Sequence, residues 1–542
     1  MAINSVTINR DAFGLGTSPE NLDKVSGIIF FDDNLPSGFD TSNNIKKIYS
    51  LEEAENLGIV NTHRIDETLA TDGVCQIIAT AATSSVWSLK VDDGKIASYT
   101  QVSGDDEDAI ATGLNTALNL LTGEHGFTST VSTDTITITA PAKLGLSIND
   151  STHLSTSQTG STLTQFTDGV GSKFATFHYH ISEYFRGNIN GELYVGIYPA
   201  SADTSYDGAP IQDMADHSEG RIRQISVYSE QTYSSSLITS SQAYATITET
   251  NSRPLSVFVS GDMTALSIGS FTDLKTLDSK DITLSISEDA NFWRTDYSDS
   301  TTYNSGDMVN YCGKYFTAIQ NGVSAIYPFN IKYWKQLGIN LKDVVGYSIG
   351  TTGLMLGVSS SASVQQNIGA VKDFNIASTI TYFTESAFQD GTLFKNASVG
   401  TQTDLIDKSY IYIKSFTDKT GLYFIDDWTC TLRTSDFSSI SNNKVINKAV
   451  RGVRVNLLPL LNGDLYLNKD GTLSLVTLNV YLNAAKKSLE SMKVAGEISQ
   501  FEVVIDSTQP VLLTNNINVS IKIVPVGKSR FITVDIKFAT NL

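Results

Sequence analysis

His178, His180 and Glu183 are the side chains in this sequence best suited to chemistry: two imidazoles and a carboxylate in one short stretch. Such a set holds a divalent metal only if all three reach one face. The stretch reads as helical, and at about 100° per residue His178 and His180 diverge by about 200°. Ordinary packing is the expectation, and no metal site is assigned. His63, His125, His153 and His217 stand alone in loop-like sequence, so no nucleophile has a base at a defined spacing. Gly346, Gly350, Gly353 and Gly357 miss both phosphate-cradling patterns, G-x-x-x-x-G-K-[ST] and G-x-G-x-x-G, and are expected to allow close packing or turns. The run Asp105-Asp-Glu-Asp108 has the charge of a calcium loop, yet carboxylates at a helix N-terminus account for it. No catalytic residue and no cofactor is assigned, and the chain is read as a non-enzyme.

A different signal lies in the charge distribution. Phe437–Leu542 carries 12 Lys+Arg against 7 Asp+Glu, a net of +5, which leaves 26 against 50, a net of −24, for residues 1–436. Two surfaces with different partners are implied, one partner being acidic. The overall charge of −19 argues against nucleic acid as the main partner. No stretch approaches the ~20 apolar residues of a membrane span, and the start Met-Ala-Ile-Asn-Ser-Val lacks the basic and apolar regions of a secretory signal. Cys75, Cys312 and Cys430 are odd in number and far apart, which excludes a disulfide framework and fits a reducing cytosol.

The elements that position these groups alternate in type. Ile3, Val6 and Ile8 form a strand-like arm before Gly14, Gly16 and Pro19. Val25–Phe31 reads as a buried strand, and Ser50–Leu57 as a helix with Ser50 as N-cap and Glu53 in capping-box position. Residues 70–170 read as an inserted α+β domain, with strands at Ser88–Val91, Lys95–Tyr99, Thr128–Val131 and Thr135–Thr139 around a helix at Asp105–Leu121. The run Ser151–Thr164 closes it as a solvated linker. A helix from Phe174 to Gly187 leads into a strand at Glu192–Tyr198. Further strands follow at Arg223–Tyr228, Pro254–Val259 and Asp281–Ile286, so the core is α/β.

Two helices are expected in the C-terminal module. In the first, Lys444, Lys448, Arg451 and Arg454 fall within about 120° of one another, opposite Ile446, Ala449, Val450, Val453 and Leu457. In the second, Leu475, Leu478, Leu482, Ala485, Leu489 and Met492 make an apolar stripe, and Lys486 and Lys493 share a polar face. With no acid between Phe437 and Gly463, the basic faces are read as docking an acidic protein. The final strand contributes Phe531, Ile532, Val534, Ile536 and Phe538, and is suited to joining a neighbour's sheet edge.

Residues 291–338 resemble small carbohydrate-binding modules of the chitin-binding type. The pattern is met by Tyr303, Gly306, Asp307, Val309, Tyr311, Gly313, Lys314, Tyr315 and Trp334. The resemblance implies a small β fold with Tyr303, Tyr311, Tyr315 and Trp334 as candidate sugar-stacking residues; the same aromatics can instead be the core of a mini-domain too small for an aliphatic one.

The order of segments across the rest of the chain resembles the contractile tail sheath proteins of phages and related injection systems. It is carried by Val25–Phe31 with Ser50–Gly58, His178–Phe185 leading to Gly191–Val195, Asp281–Asp289, Ile368–Ile376, Asn447–Arg454 and Leu475–Phe538. The fold class implied is α/β and α+β multidomain, a sheath-like core with a C-terminal α+β inner domain and two β-rich insertions. Its expected parts are a strand-exchange arm at 1–24 and core segments at 25–69, 171–290 and 339–436. Insertions at 70–170 and 291–338 interrupt the core, and the inner domain spans 437–542. The resemblance further implies hexameric rings stacked around an acidic inner tube protein, with baseplate and tail terminator proteins as further partners. The N-terminal arm (Ile3, Val6, Ile8) and the terminal strand would join neighbours, and the basic residues would face the tube. The setting implied is a virion tail, or a bacterial contractile injection system assembled in the cytoplasm. The alternative is a carbohydrate-binding surface adhesin or virion decoration protein with surface glycans as partners.

Overall fold

The computed structural model describes residues 22–60, 72–91, 94–140, 153–166, 174–262, 271–289, 295–305, 307–311, 314–339, 350–377, 386–388, 393–530, 532–534, 536 and 538. The chain is mixed α/β and multidomain. Its centre is a six-stranded sheet in the order Ile282–Leu284, Ser256–Asp262, Gln224–Thr232, Val25–Phe31, Glu192–Tyr198, Ile45–Ile48. All neighbours are parallel except the last pair. Parallel strands need crossovers, and the helices that provide them cover both faces, which is why Val25–Phe31 is buried throughout. Successive side chains point to opposite faces. Val25, Ile29 and Phe31 pack with the helices Ala209–His217 and Ser235–Thr250, whereas Ile28 and Phe30 pack with Phe174–Gly187 and Thr352–Ser361.

The last two helices approach unusually closely. A Cβ on Gly353 or Gly357 would collide with the carbonyl of His180 or Tyr184, so glycine is required on that face. The helix Leu51–Asn56 starts as expected: Ser50 Oγ accepts from Glu53 N at 3.2 Å. Glu53 Oε2 reaches back to Tyr49 N at 2.7 Å, one residue before the expected partner.

In the first insertion the strands Val86–Val91, Gly94–Thr100, Thr128–Ser132 and Thr135–Thr139 surround the helix Glu107–Leu120, which Asp106 caps. The expected linker is a correction. Leu154–Thr156 pairs with Val86–Val91, and Ser161–Thr164 pairs with Asp72–Ile77. These polar strands are held by backbone hydrogen bonds at sheet edges, so they lack the apolar alternation that would have announced them.

The second insertion is a four-stranded sheet of Thr295–Asp296, Met308–Tyr311, Lys314–Ala318 and Trp334–Ile339, with a short pair Thr302–Tyr303 and Val323–Ser324. The two insertions share one core. Trp87, Leu114 and Phe127 of the first belong to the same buried cluster as Tyr297, Tyr311 and Trp334 of the second. His125 meets the ring of Tyr327 edge-on at 5.6 Å.

Candidate assembly interface

The C-terminal module is built from the helices Ile440–Leu457 and Leu475–Val494 and a hairpin, Ile498–Val504 with Ser520–Pro525. Ser439 and Ser474 cap the helices by accepting from Asn442 N and Thr477 N, both at 3.3 Å. Its core is incomplete. Val445, Ala449, Ala485, Leu489, Met492, Ile498 and Val503 are buried, but Val453, Leu457, Leu482, Phe501, Ile521 and Ile523 are only partly covered. At the N-terminal end of the second helix Leu475 and Val476 are exposed, although Leu475 belongs to the apolar stripe. A two-stranded sheet is marginal by itself, and among the described residues both its outer edges are unpaired.

The terminal segment does not fill those edges. Ile532, Val534, Ile536 and Phe538 belong to no strand, and each is at least 70% exposed. Phe531 lies outside the described residues, as do Ile3, Val6 and Ile8 of the N-terminal arm.

The basic helix face turns largely inward, which corrects the expectation that it faces a partner. Lys444 is buried, and its Nζ donates to Ser359 O at 2.5 Å and Ala362 O at 3.3 Å, at the C-terminal end of Thr352–Ser361. A cation suits a helix C-terminus, but burial pushes the Lys444 ammonium down to about 8. Lys448 Nζ lies 2.6 Å from Asp23 Oδ2 and 2.5 Å from Glu497 Oε1. Burial opposes its charge, yet the two carboxylates hold its pKa above the usual lysine value. Arg451 donates to Pro254 O at 2.5 Å, and burial followed by repulsion from Arg223 brings it down to about 9. These three cations fasten the module to the rest of the chain. Arg454 and Lys493 are exposed and Lys486 half-buried, with Lys493 Nζ 2.9 Å from Gln500 Oε1.

A cluster the sequence reading missed holds the root of the terminal segment. Arg530 Nε lies 2.9 Å from Asp426 Oδ2, and its Nη2 lies 2.9 Å from Asp427 Oδ1. Asn367 Nδ2 donates to both carboxylates, at 2.6 and 2.8 Å. The Arg530 and Arg433 guanidinium carbons sit 3.9 and 3.3 Å from the centre of the Trp428 ring. Two guanidinium groups that near one centre cannot share a face, so the indole is sandwiched. Burial and the adjacent Asp426 push the Asp427 carboxyl above the usual carboxylate range, against the opposing Ser441 side chain and Arg530. The signal in the sequence is an Asp-Asp-Trp run and a lone Arg a hundred residues later, which no periodicity links.

The other candidates resolve as packing. Tyr303, Tyr311 and Trp334 are buried, and Trp334 Nε1 donates to Ile326 O at 2.8 Å. They cannot offer a face to sugar, which corrects that expectation; the Tyr315 side chain lies outside the described residues. His178 Nε2 donates to Glu55 Oε1 at 2.8 Å, whereas His180 is buried beside Phe30 and Tyr228, its Nδ1 accepting from Gly353 N at 3.3 Å. Burial pushes His180 down to about 3. Glu183 pairs with Arg186, so the three groups do not converge. Asp105 accepts from Tyr99 Oη and Val102 N, both at 2.8 Å, and serves the turn before its helix. No helix among the described residues is long and apolar enough to cross a membrane.

Residues 436–542 match the family described as DUF2586, C-terminal domain. No curated protein matches the chain in sequence. Among solved structures, the chain is similar to a component of the anti-feeding prophage baseplate at 12% identity and a TM-score of 0.41, covering 67% of this chain and 81% of that one. It is similar to a component of the PVC sheath complex of an extracellular contractile injection system, in the contracted state, at 12% identity and a TM-score of 0.40, covering 67% and 80%. A third is the sheath tail protein from Desulfitobacterium hafniense, at 8% identity and a TM-score of 0.34, covering 96% and 100%.

Proposed function

We propose that this chain is the structural subunit of a contractile tail sheath, in a phage tail or a contractile injection system. Subunits stack as hexameric rings around an inner tube and contract to drive the tube through a target envelope. The observation that carries the reading is the half-covered C-terminal module beside an exposed terminal segment with alternating Ile532, Val534, Ile536 and Phe538. A neighbour's segment added to the edge of the hairpin supplies the missing strand. Each apolar side chain buried contributes about 1.5–3 kcal/mol, and each backbone hydrogen bond about 1 kcal/mol net. A donated strand therefore adds several kcal/mol per subunit, and a ring closes cooperatively. The N-terminal arm with Ile3, Val6 and Ile8 provides a second such link. Of the predicted basic residues, Arg454, Lys486 and Lys493 are left to face an acidic tube, and baseplate and terminator proteins cap the ends. Contraction releases a strained packing and needs no nucleotide.

Negative-stain electron microscopy of the full chain and of a chain ending at Phe531 tests this. Tubes or rings from the full chain, lost on truncation with unfolding unchanged, are expected. Equal assembly of both chains overturns the strand-exchange reading.

A further inference from the structure

We infer that Arg530 is the fixed root of the C-terminal segment, locked to its own subunit by Asp426, Asp427 and Trp428, so that the part free to join a neighbour lies beyond Arg530. This rests on the strand-exchange reading and sets its geometry.

The pocket is built so that Arg530 cannot leave it cheaply. Asp426 and Asp427 are both buried, and their Oδ1 atoms share the single amide of Asn367. Arg530 supplies a guanidinium that touches both carboxylates, while Arg433 lies across the Trp428 ring. Removing one partner of such a group leaves a buried charge uncompensated, the most costly state for an ion pair. The preceding turn is held as well, with Lys528 Nζ donating to the carbonyls of Gln365 and Val526.

The pocket also belongs to the module's first helix. Asp427 accepts from Ser441 N at 3.1 Å through Oδ2 and from Ile440 N at 2.8 Å through its carbonyl, so it holds the start of Ile440–Leu457. The root of the segment therefore turns with that helix. Two residues beyond Arg530 the side chains change from anchored to exposed. Eight residues separate Arg530 from Phe538, a reach of at most ~26–29 Å. A neighbour's acceptor edge must lie within that distance, and the position of the donated strand is fixed relative to the donor's body rather than adjustable through a loose tether.

Trypsin cleavage of the bond after Lys528 in the soluble full-length subunit reads the clamp directly, and electron microscopy reads its consequence. Arg530→Met alone leaves two buried carboxylates facing each other and can unfold the module. The variant of choice combines Arg530→Met with Asp426→Asn and Asp427→Asn, which leaves the pocket uncharged. Its unfolding midpoint should stay near that of the unsubstituted chain, while cleavage after Lys528 speeds up at least tenfold and assembly falls at least tenfold. Equal cleavage rates in the two proteins would show that the segment is not held, and wild-type assembly by the triple variant would show that the root is not needed; either overturns the inference. The chain ending at Phe531 separates the two ideas. If it assembles, strand exchange fails, yet protection of Lys528 in that same chain still judges the clamp.

Discussion

Gly94 lies against Tyr311 so closely that a Cβ on the glycine would sit 2.6 Å from Tyr311 Cε2. The contact joins two insertions that are far apart in the sequence, and it makes each a wall of the other's core. Gly94→Val should therefore destabilise both insertions together, by about 1–3 kcal/mol, the usual cost of overpacking. Gly123→Ala, with nothing near the added methyl, is the control and should be neutral. Urea unfolding followed by far-UV circular dichroism distinguishes them; equal midpoints would mean the insertions are not packed as one body.

The buried aromatics give a second test. Trp334 contacts Tyr297 and Tyr303 at 5.9 and 5.2 Å between ring centres. Trp334→Ala should cost about 3–5 kcal/mol through the cavity it leaves. A sugar-stacking residue would behave in the opposite way, losing retention on chitin beads with stability unchanged. Measuring both on one preparation decides which description holds.

The helix contact at Gly353 and Gly357 is the most sterically demanding in the core. Gly187 contributes from the other side, with a Cβ there 2.8 Å from Val358 N. The obstructing atoms are backbone, so they cannot rotate away. Gly357→Ala should cost at least about 2 kcal/mol even though alanine is the better helix former by about 1 kcal/mol. A thermal midpoint that rises on substitution would refute the close packing.

Lys448 ties Asp23, at the end of the N-terminal arm, to Glu497, just before the hairpin. Lys448→Met leaves two largely buried carboxylates without their cation. The expected loss is about 2–3 kcal/mol, less than the roughly 3–5 kcal/mol of a fully buried pair because Lys448 keeps some exposure. Adding Glu497→Gln should recover part of it. A double variant no better than Lys448→Met alone would place the loss elsewhere.

These residues also show what a sequence can and cannot convey. Val25–Phe31, Glu192–Tyr198 and Phe174–Gly187 were legible because continuous apolar runs and a 3.6-residue period report burial directly. The face shared by Lys444, Lys448 and Arg451 was legible too, but its direction was not. Periodicity says which side chains stand together, whereas the carbonyls of Ser359, Ala362 and Pro254 that receive them come from distant segments. The clamp around Arg530 was invisible for the same reason. It depends on Asp426, Asp427 and Trp428 meeting one cation across a hundred residues.

Lys444 offers a pH test of that inward face. Its ordinary value of 10.5 falls to about 8 because burial penalises the ammonium. Between pH 8 and 10.5 the unfolded chain therefore binds more protons at this site than the folded one, so stability rises with pH across that window. The cost of holding the charge inside is fully present below pH 8, and its relief amounts to at most about 3 kcal/mol. Lys444→Met cannot titrate, so the stability of the unsubstituted chain should climb relative to the variant as pH is raised from 8 to 10.5. Below pH 8 the comparison should be flat, the variant losing the bonds to the Ser359 and Ala362 carbonyls but escaping the cost of the buried charge. Denaturant midpoints of both proteins at half-unit pH steps supply the measurement. Parallel profiles through the whole window would mean that Lys444 titrates as an exposed lysine and that the helix does not bury it.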